Sequence, residues 1–204
     1  MNVNWSKVDV RLAANGHKKV RVMGMIADQI VTTQSVEDAR IKNGYAVSDP
    51  ARDLLKVAVI ERHQATGNVG LGFVRGLKLK RGAIGSSVAH DSHNIIVAGA
   101  NDDDLMTAAR AIAAMQGGLV AVADGQVLAR VPLPIAGLMS DQPLERVREQ
   151  LDDLAAVARD LGSDLHAPFM AMAFLALPVI PELKLTDRGL VDVNKFDFVP
   201  VLAD

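Results

Sequence analysis

The chain has no cysteine, which together excludes disulfides, CxxC redox chemistry, thiolate zinc sites and a cysteine nucleophile. Aromatic residues make up only 3% of it, so the stacking platforms on which single-strand binders hold bases are poorly supplied. Neither sign of charge prevails: Lys and Arg number 22, Asp and Glu 24, for a net charge of -2. That excludes a basic nucleic-acid surface spread over the whole chain and leaves at most a local patch. Long apolar runs are missing too. The longest, Ala167 to Pro181, is about 15 residues and contains three prolines, short of the roughly 20 that a helical membrane span needs. Met1-Asn2-Val3-Asn4-Trp5-Ser6 lacks the apolar stretch of a signal peptide. Neither nucleic acid nor membrane is expected as a partner, and the implied location is cytoplasmic.

What is present is an ordinary globular balance: 204 residues, half of them hydrophobic and 23% charged. No Gly-, Ser- or Pro-rich linker divides the chain and no internal repeat is visible, so one domain over residues 1–204 is expected. Between Pro143 and Leu161 apolar residues recur at Leu144, Val147, Leu151, Leu154, Ala158 and Leu161, the spacing of one helix face. Ser140 or Asp141 can cap its start and Gly162 can end it. A second helix is expected from Asp102 to Gln116, with Asn101 as N-cap, Asp102, Asp103 and Asp104 at the positive end of its dipole, and Gly117-Gly118 as its stop.

Leu119-Ala123 and Gln126-Val131 flank Asp124-Gly125, a pair suited to a type I′ hairpin turn. Val20-Ile26 with Gln29-Thr33, and Leu183-Leu185 with Leu190-Val193, read as two further hairpins. Leu54-Ile60 and Asn94-Ala100 read as interior strands. Hairpins followed by helices, without regular βαβ alternation, predict an α+β fold: a single domain with a largely antiparallel or mixed sheet flanked by helices.

The densest polar cluster is Ser86-Ser87-Val88-Ala89-His90-Asp91-Ser92-His93-Asn94. His90 and His93 could share a metal with Asp91 beside them, or a serine could pair with a histidine as nucleophile and base. A polar turn bonding its own backbone explains the same residues. Glu61-Arg62-His63 follows a predicted buried strand, and Thr66-Gly67-Asn68-Val69-Gly70-Leu71-Gly72 comes next. The glycines match neither GxGxxG nor the P-loop, so a tight turn is the plainer reading. Asp102-Asp103-Asp104 could bind a divalent cation, but a helix start accounts for them as well. His17 reads as a solvated turn residue, His166 as a helix entry, and Met170, Met172 and Phe174 as core. Five scattered histidines cannot supply the four or so imidazoles of a two-metal hydrolase centre.

Several runs together carry a resemblance. They are Ala58-Val59-Ile60-Glu61-Arg62-His63, Thr66-Gly67-Asn68-Val69-Gly70-Leu71-Gly72-Phe73-Val74 and the Ser86–Asn94 segment. Leu133-Pro134-Ile135-Ala136-Gly137-Leu138-Met139-Ser140 and Leu175 to Asp187 complete the set. The chain resembles the C-terminal domain of bacterial adenine deaminases, amidohydrolase-superfamily enzymes that convert adenine and water to hypoxanthine and ammonia. The resemblance implies that the complete enzyme carries a metal-dependent barrel with manganese or iron, and that no cofactor is held by this chain. It implies the barrel and a purine as partners, and inactivity of the chain alone. It places Ser86, Ser87, His90, Asp91 and His93 at the interface facing the active site, with Glu61 and His63 nearby. His90 and Asp91 would have accessory catalytic roles, and Ser86, Ser87, His93, Glu61 and His63 would bind substrate. Two other readings compete: a stand-alone metal hydrolase using His90 and His93, and a module that binds purines without turnover. A face left uncovered predicts a homo-oligomer.

Overall fold

The computed structural model describes residues 1–204. Its centre is a nine-stranded sheet. From one edge the strands run Gln126–Pro132, Gly118–Ala123, Ala83–Ser86, Ile95–Gly99, Leu55–Ile60, Val69–Arg75 and Lys19–Met25. Lys19–Met25 pairs in parallel with Val69–Arg75, and antiparallel with both Thr32–Asp38 and the short Leu202–Ala203. Every other neighbour in this sheet is antiparallel. Two three-stranded sheets accompany it. Leu12–Ala13, Tyr45–Val47 and Arg40–Lys42 form one; Leu183–Thr186, Gly189–Asp192 and Asp197–Val199 form the other. This is the expected α+β, single-domain, largely antiparallel architecture.

The inner strands read as near-continuous apolar runs, Lys56 apart, because both faces of the sheet are covered. Ala58, Ile60, Ile95 and Val97 pack on one face with Leu105, Ala108, Ala109 and Ile112 of the Asp102–Ala114 helix. Leu55, Val57, Val59, Ile96 and Ala98 pack on the other, with Leu154, Ala158, Phe169, Met172, Leu183 and Leu185. Those partners come from helices Leu144–Asp160 and Pro168–Ala173 and from the 183–199 sheet. Alternate side chains of one strand therefore feed two separate cores.

The Asp102–Ala114 helix begins as expected, Asn101 Oδ1 accepting from the Asp104 N–H at 2.8 Å. The aspartates after it have further duties. Asp102 meets the fully buried Lys56 ammonium at 2.7 Å, and Asp104 accepts from the Gly125 N–H at 2.8 Å. At the 124–125 turn both residues have positive φ, 53° and 73°, the geometry of a type I′ turn.

Several expectations are corrected. The helix predicted to be capped by Ser140 or Asp141 has Pro143 at its N-cap and no side-chain cap; Ser140 Oγ accepts from the Gln142 N–H instead. Leu144 and Leu151 of its apolar stripe remain exposed, because the helix packs mainly against the edge strand Gln126–Pro132, a narrow floor. The hairpin placed at Val20–Ile26 and Gln29–Thr33 has its second strand at Thr32–Asp38. That strand is mostly exposed and polar, so it lacks the apolar alternation that betrays a strand. Met170 and Phe174 are not both core: the segment is a short helix, not an alternating strand, so Met172 is buried and Met170 is exposed.

The glycines at 67, 70 and 72 do not share one turn. Gly67 has φ +80° in a loop, but Gly70 and Gly72 lie within strand Val69–Arg75. A Cβ at Gly70 would stand 1.8 Å from the Thr186 carbonyl oxygen, so the 186–189 turn seats against the sheet only because that atom is missing. Gly70→Ala should destabilise the chain by about 2 kcal/mol or more, read as a lowered urea midpoint.

Lys184 is fully buried, and its ammonium donates to the Ile30 carbonyl at 2.7 Å. Burial pushes its pKa down from 10.5 to about 8. The unfolded chain keeps that proton up to pH 10.5, so the lysine's contribution to stability rises between pH 8 and 10.5; below 8 the cost of burying the charge is present in full. Against a Lys184→Met variant, the difference in unfolding free energy should rise over that window by roughly 2–3 kcal/mol. Parallel urea titrations at pH 7 and 10.5 check it.

Candidate functional site

Antiparallel register assembles the site. Ile60 faces Ile95 and also Val69, so the 61–68 loop leaving one strand and the 87–94 loop entering its neighbour emerge at the same end of the sheet. The 186–189 turn and the segment after Pro132 close around them through hydrogen bonds from Asn68, Asn94, Arg62 and Ser87.

Much of the polarity in these loops points inward. Glu61 is buried, and its carboxylate accepts from the backbone N–H groups of His63, Gln64 and Thr66 and from Thr66 Oγ1. Burial raises its pKa, but the bonds from Thr66, Gln64 and His63 outweigh that and hold it below the usual carboxylate range. Arg62 is buried as well. Its guanidinium donates to the carbonyls of His93 and Ala136, tying together two loops far apart in sequence, and burial lowers its pKa. Ser86 Oγ bonds the backbone of Val88, and Ser87 Oγ accepts from the Gly118 N–H at 2.8 Å and donates to the Gly137 carbonyl at 2.6 Å. At 1% and 0% exposure, the two serines hold the loop from beneath.

The imidazoles are less buried than these groups. His63 is exposed, its Nε2 donating to the Ser92 carbonyl at 2.8 Å. His93 is in the left-handed region at φ 50°, and its Nδ1 accepts from the Ala89 N–H at 3.3 Å, which leaves the proton on Nε2. The His90 ring meets His93 edge-on, centroids 5.5 Å apart, and lies against Phe174 at 4.8 Å. Asp91 is exposed at the tip.

A cleft of about 600 Å³ lies on one side of this loop, lined by Arg62, His63, Ser92 and His93 with Ala136 and Leu138. On the other side is a cleft of about 370 Å³ that includes Asp91, Ser92, Asp187 and Arg188. The expected site residues share this end of the sheet, but Ser86, Ser87 and Glu61, expected to face the active site and bind substrate, are buried and bond the loops' own backbone instead. The sequence reading missed Arg62, Asn68, Asn94 and Asp187. Nothing in the chain order couples Asn68 to Asp187.

No three His, Asp or Glu side chains converge in a way that could hold a metal ion. His90 and His93 have no third donor, and the manganese or iron implied by the resemblance does not fit this donor set.

A family model described as the adenine deaminase C-terminal domain matches residues 29–197. The chain belongs to this family. It is 57% identical over 199 residues to an adenine deaminase of Desulfatibacillum aliphaticivorans, covering 98% of this chain and 35% of that protein. It is 51% identical over 200 residues to adenine deaminase 2 of Carboxydothermus hydrogenoformans, covering 98% and 35%. With an adenine deaminase of Brucella melitensis biotype 1 the identity is 55% over 181 residues, covering 89% and 31%. The adenine deaminase C-terminal domain described here therefore spans about a third of the length of these curated relatives. No helix in it is long and apolar enough to cross a membrane.

In this domain the His93 pKa is lowered, first by burial and then by the neighbouring charges of His90 and Arg62, against an opposing pull from Asp91. The unfolded ring takes up its proton at about 6.5 and the folded one only at lower pH, so stability is full above 6.5 and is lost as pH falls below it. The NMR titration midpoint of His93 should lie below 6.5. His93→Asn should remove part of the loss of stability below pH 6.5.

Proposed function

We propose that this chain is the accessory C-terminal part of an adenine deaminase, acting on adenine and water to give hypoxanthine and ammonia. On this reading its His90 loop closes over the active site of a metal-dependent catalytic barrel. The observation that carries the proposal is how burial divides the polar groups. Within a family match over residues 29–197, Glu61, Arg62, Ser86 and Ser87 are buried and spent on holding two loops, while His63 and Asp91 are exposed and His90 and His93 are only half-buried.

The catalytic metal, manganese or iron, belongs to the barrel, since the donors in this chain do not fit it. What this chain contributes is closure and proton positioning. A loop packed over the purine excludes water. Burial favours the neutral form of the His93 imidazole, and its Nε2–H can donate to a purine ring nitrogen. His63 lines the same cleft and binds beside it. His90, between His93 and Phe174 with Asp91 next to it, takes up the proton released by the attacking water and passes it to the departing amine. Ser86, Ser87 and Glu61 serve substrate binding through the loops that they hold.

Ile30, Met170 and Phe174 border an apolar cleft of about 260 Å³ beside His90. Ile30 and Met170 are exposed large side chains; the barrel covers them in the full enzyme, and copies of the isolated domain associate through them. In the complete enzyme His90→Asn should lower kcat/KM about tenfold or more, equivalent to about 1.4 kcal/mol. Unchanged steady-state kinetics with adenine would sink the role assigned to the loop.

A further inference from the structure

Three segments that chain order keeps apart meet at one carboxylate. Asp187 sits in the turn between strands Leu183–Thr186 and Gly189–Asp192. Its Oδ1 accepts from Asn94 Nδ2 at 3.1 Å, and its Oδ2 accepts from Asn68 Nδ2 at 3.3 Å. Asn94 directly follows His93 and is 3% exposed. Its Oδ1 has no partner, so the bond to Asp187 is the one its side chain makes. The Asn68 carbonyl accepts from the Glu61 N–H at 3.1 Å and so closes the loop that Glu61 organises. The missing Cβ at Gly70 lets the 186–189 turn come close enough to reach both amides.

We propose that Asp187 is a positioning residue, clamping the His90 loop and the Glu61 loop to the 183–192 hairpin through Asn94 and Asn68. Asp187 also lines the cleft that contains Asp91 and Ser92, and its grip on Asn94 acts on the loop one residue from His93. A carboxylate suits the position because it accepts on both oxygens at once, and one oxygen faces each amide. The effect on turnover rests on the reading of the loop in Proposed function; the clamp itself does not.

A double-mutant cycle in the complete enzyme tests it. Asn94→Asp sets two carboxylates face to face and should speed amide exchange across residues 89–93 about tenfold, lowering kcat for adenine more than it raises KM. Asp187→Asn alone opposes one pair of amide donors and should give a smaller change of the same kind. Combining the two reverses the pair: the new amide donates to the new carboxylate, while its oxygen still accepts from Asn68. The combination should bring exchange and kcat back to within about twofold of the parent.

Exchange unmoved by Asn94→Asp, or a combination no slower to exchange than the single variant, overturns the clamp. Exchange that follows the cycle while turnover does not would support the clamp and overturn the loop's part in catalysis. Should Asn94→Asp not fold, Asn68→Ala at an exposed position frees one oxygen and should speed exchange of residues 64–68; no change there also overturns the proposal.

Discussion

Two strands buried on both faces set the terms for the rest of the molecule. Leu55–Ile60 and Ile95–Gly99 have no water on either side, so their backbone polar groups must be satisfied within the ladder. Leu55–Ile60 pairs with Val69–Arg75 on one flank and Ile95–Gly99 on the other, in unbroken antiparallel register. A slip of one residue would turn the two apolar cores inside out. The register therefore has one solution, and that solution brings the ends of four strands and their loops to one rim.

Given that rim, the loops divide their polar residues between holding and presenting. A buried charge without partners is costly, and Glu61, Arg62 and Ser87 all find partners within the site. Glu61 is met by three N–H groups and a hydroxyl, Ser87 by Gly118 and Gly137. Arg62 is met by carbonyls rather than by a carboxylate, which makes it a strut between loops rather than half of an ion pair. The imidazoles are the less buried groups, and partial burial pushes the His93 pKa below its ordinary value.

Much of this could be read from the chain. The helix at 102–114, its Asn101 cap and the Asp124-Gly125 turn follow from local chemistry, since propensity, capping and turn geometry act within a few residues. The clustering of His63 with His90 and His93 could be expected only through the family resemblance. Thr32–Asp38 was misplaced because an exposed edge strand carries no burial pattern. Gly70 and Gly72 looked like turn residues because a glycine needed for close approach and one needed for a left-handed φ look alike in sequence.

Composition and periodicity alone determined that this is a cysteine-free α+β chain with buried interior strands, flanking helices and a polar loop entering one of those strands. Those properties depend on residues near one another in the chain or on sums over all of it. Tertiary structure alone decided that Ser86, Ser87 and Glu61 face inward, that Arg62 bridges two loops, and that Asn68 and Asn94 share Asp187. Such pairings join residues up to 119 positions apart. Only the packing of the 183–192 hairpin against Gly70 brings them within hydrogen-bonding distance.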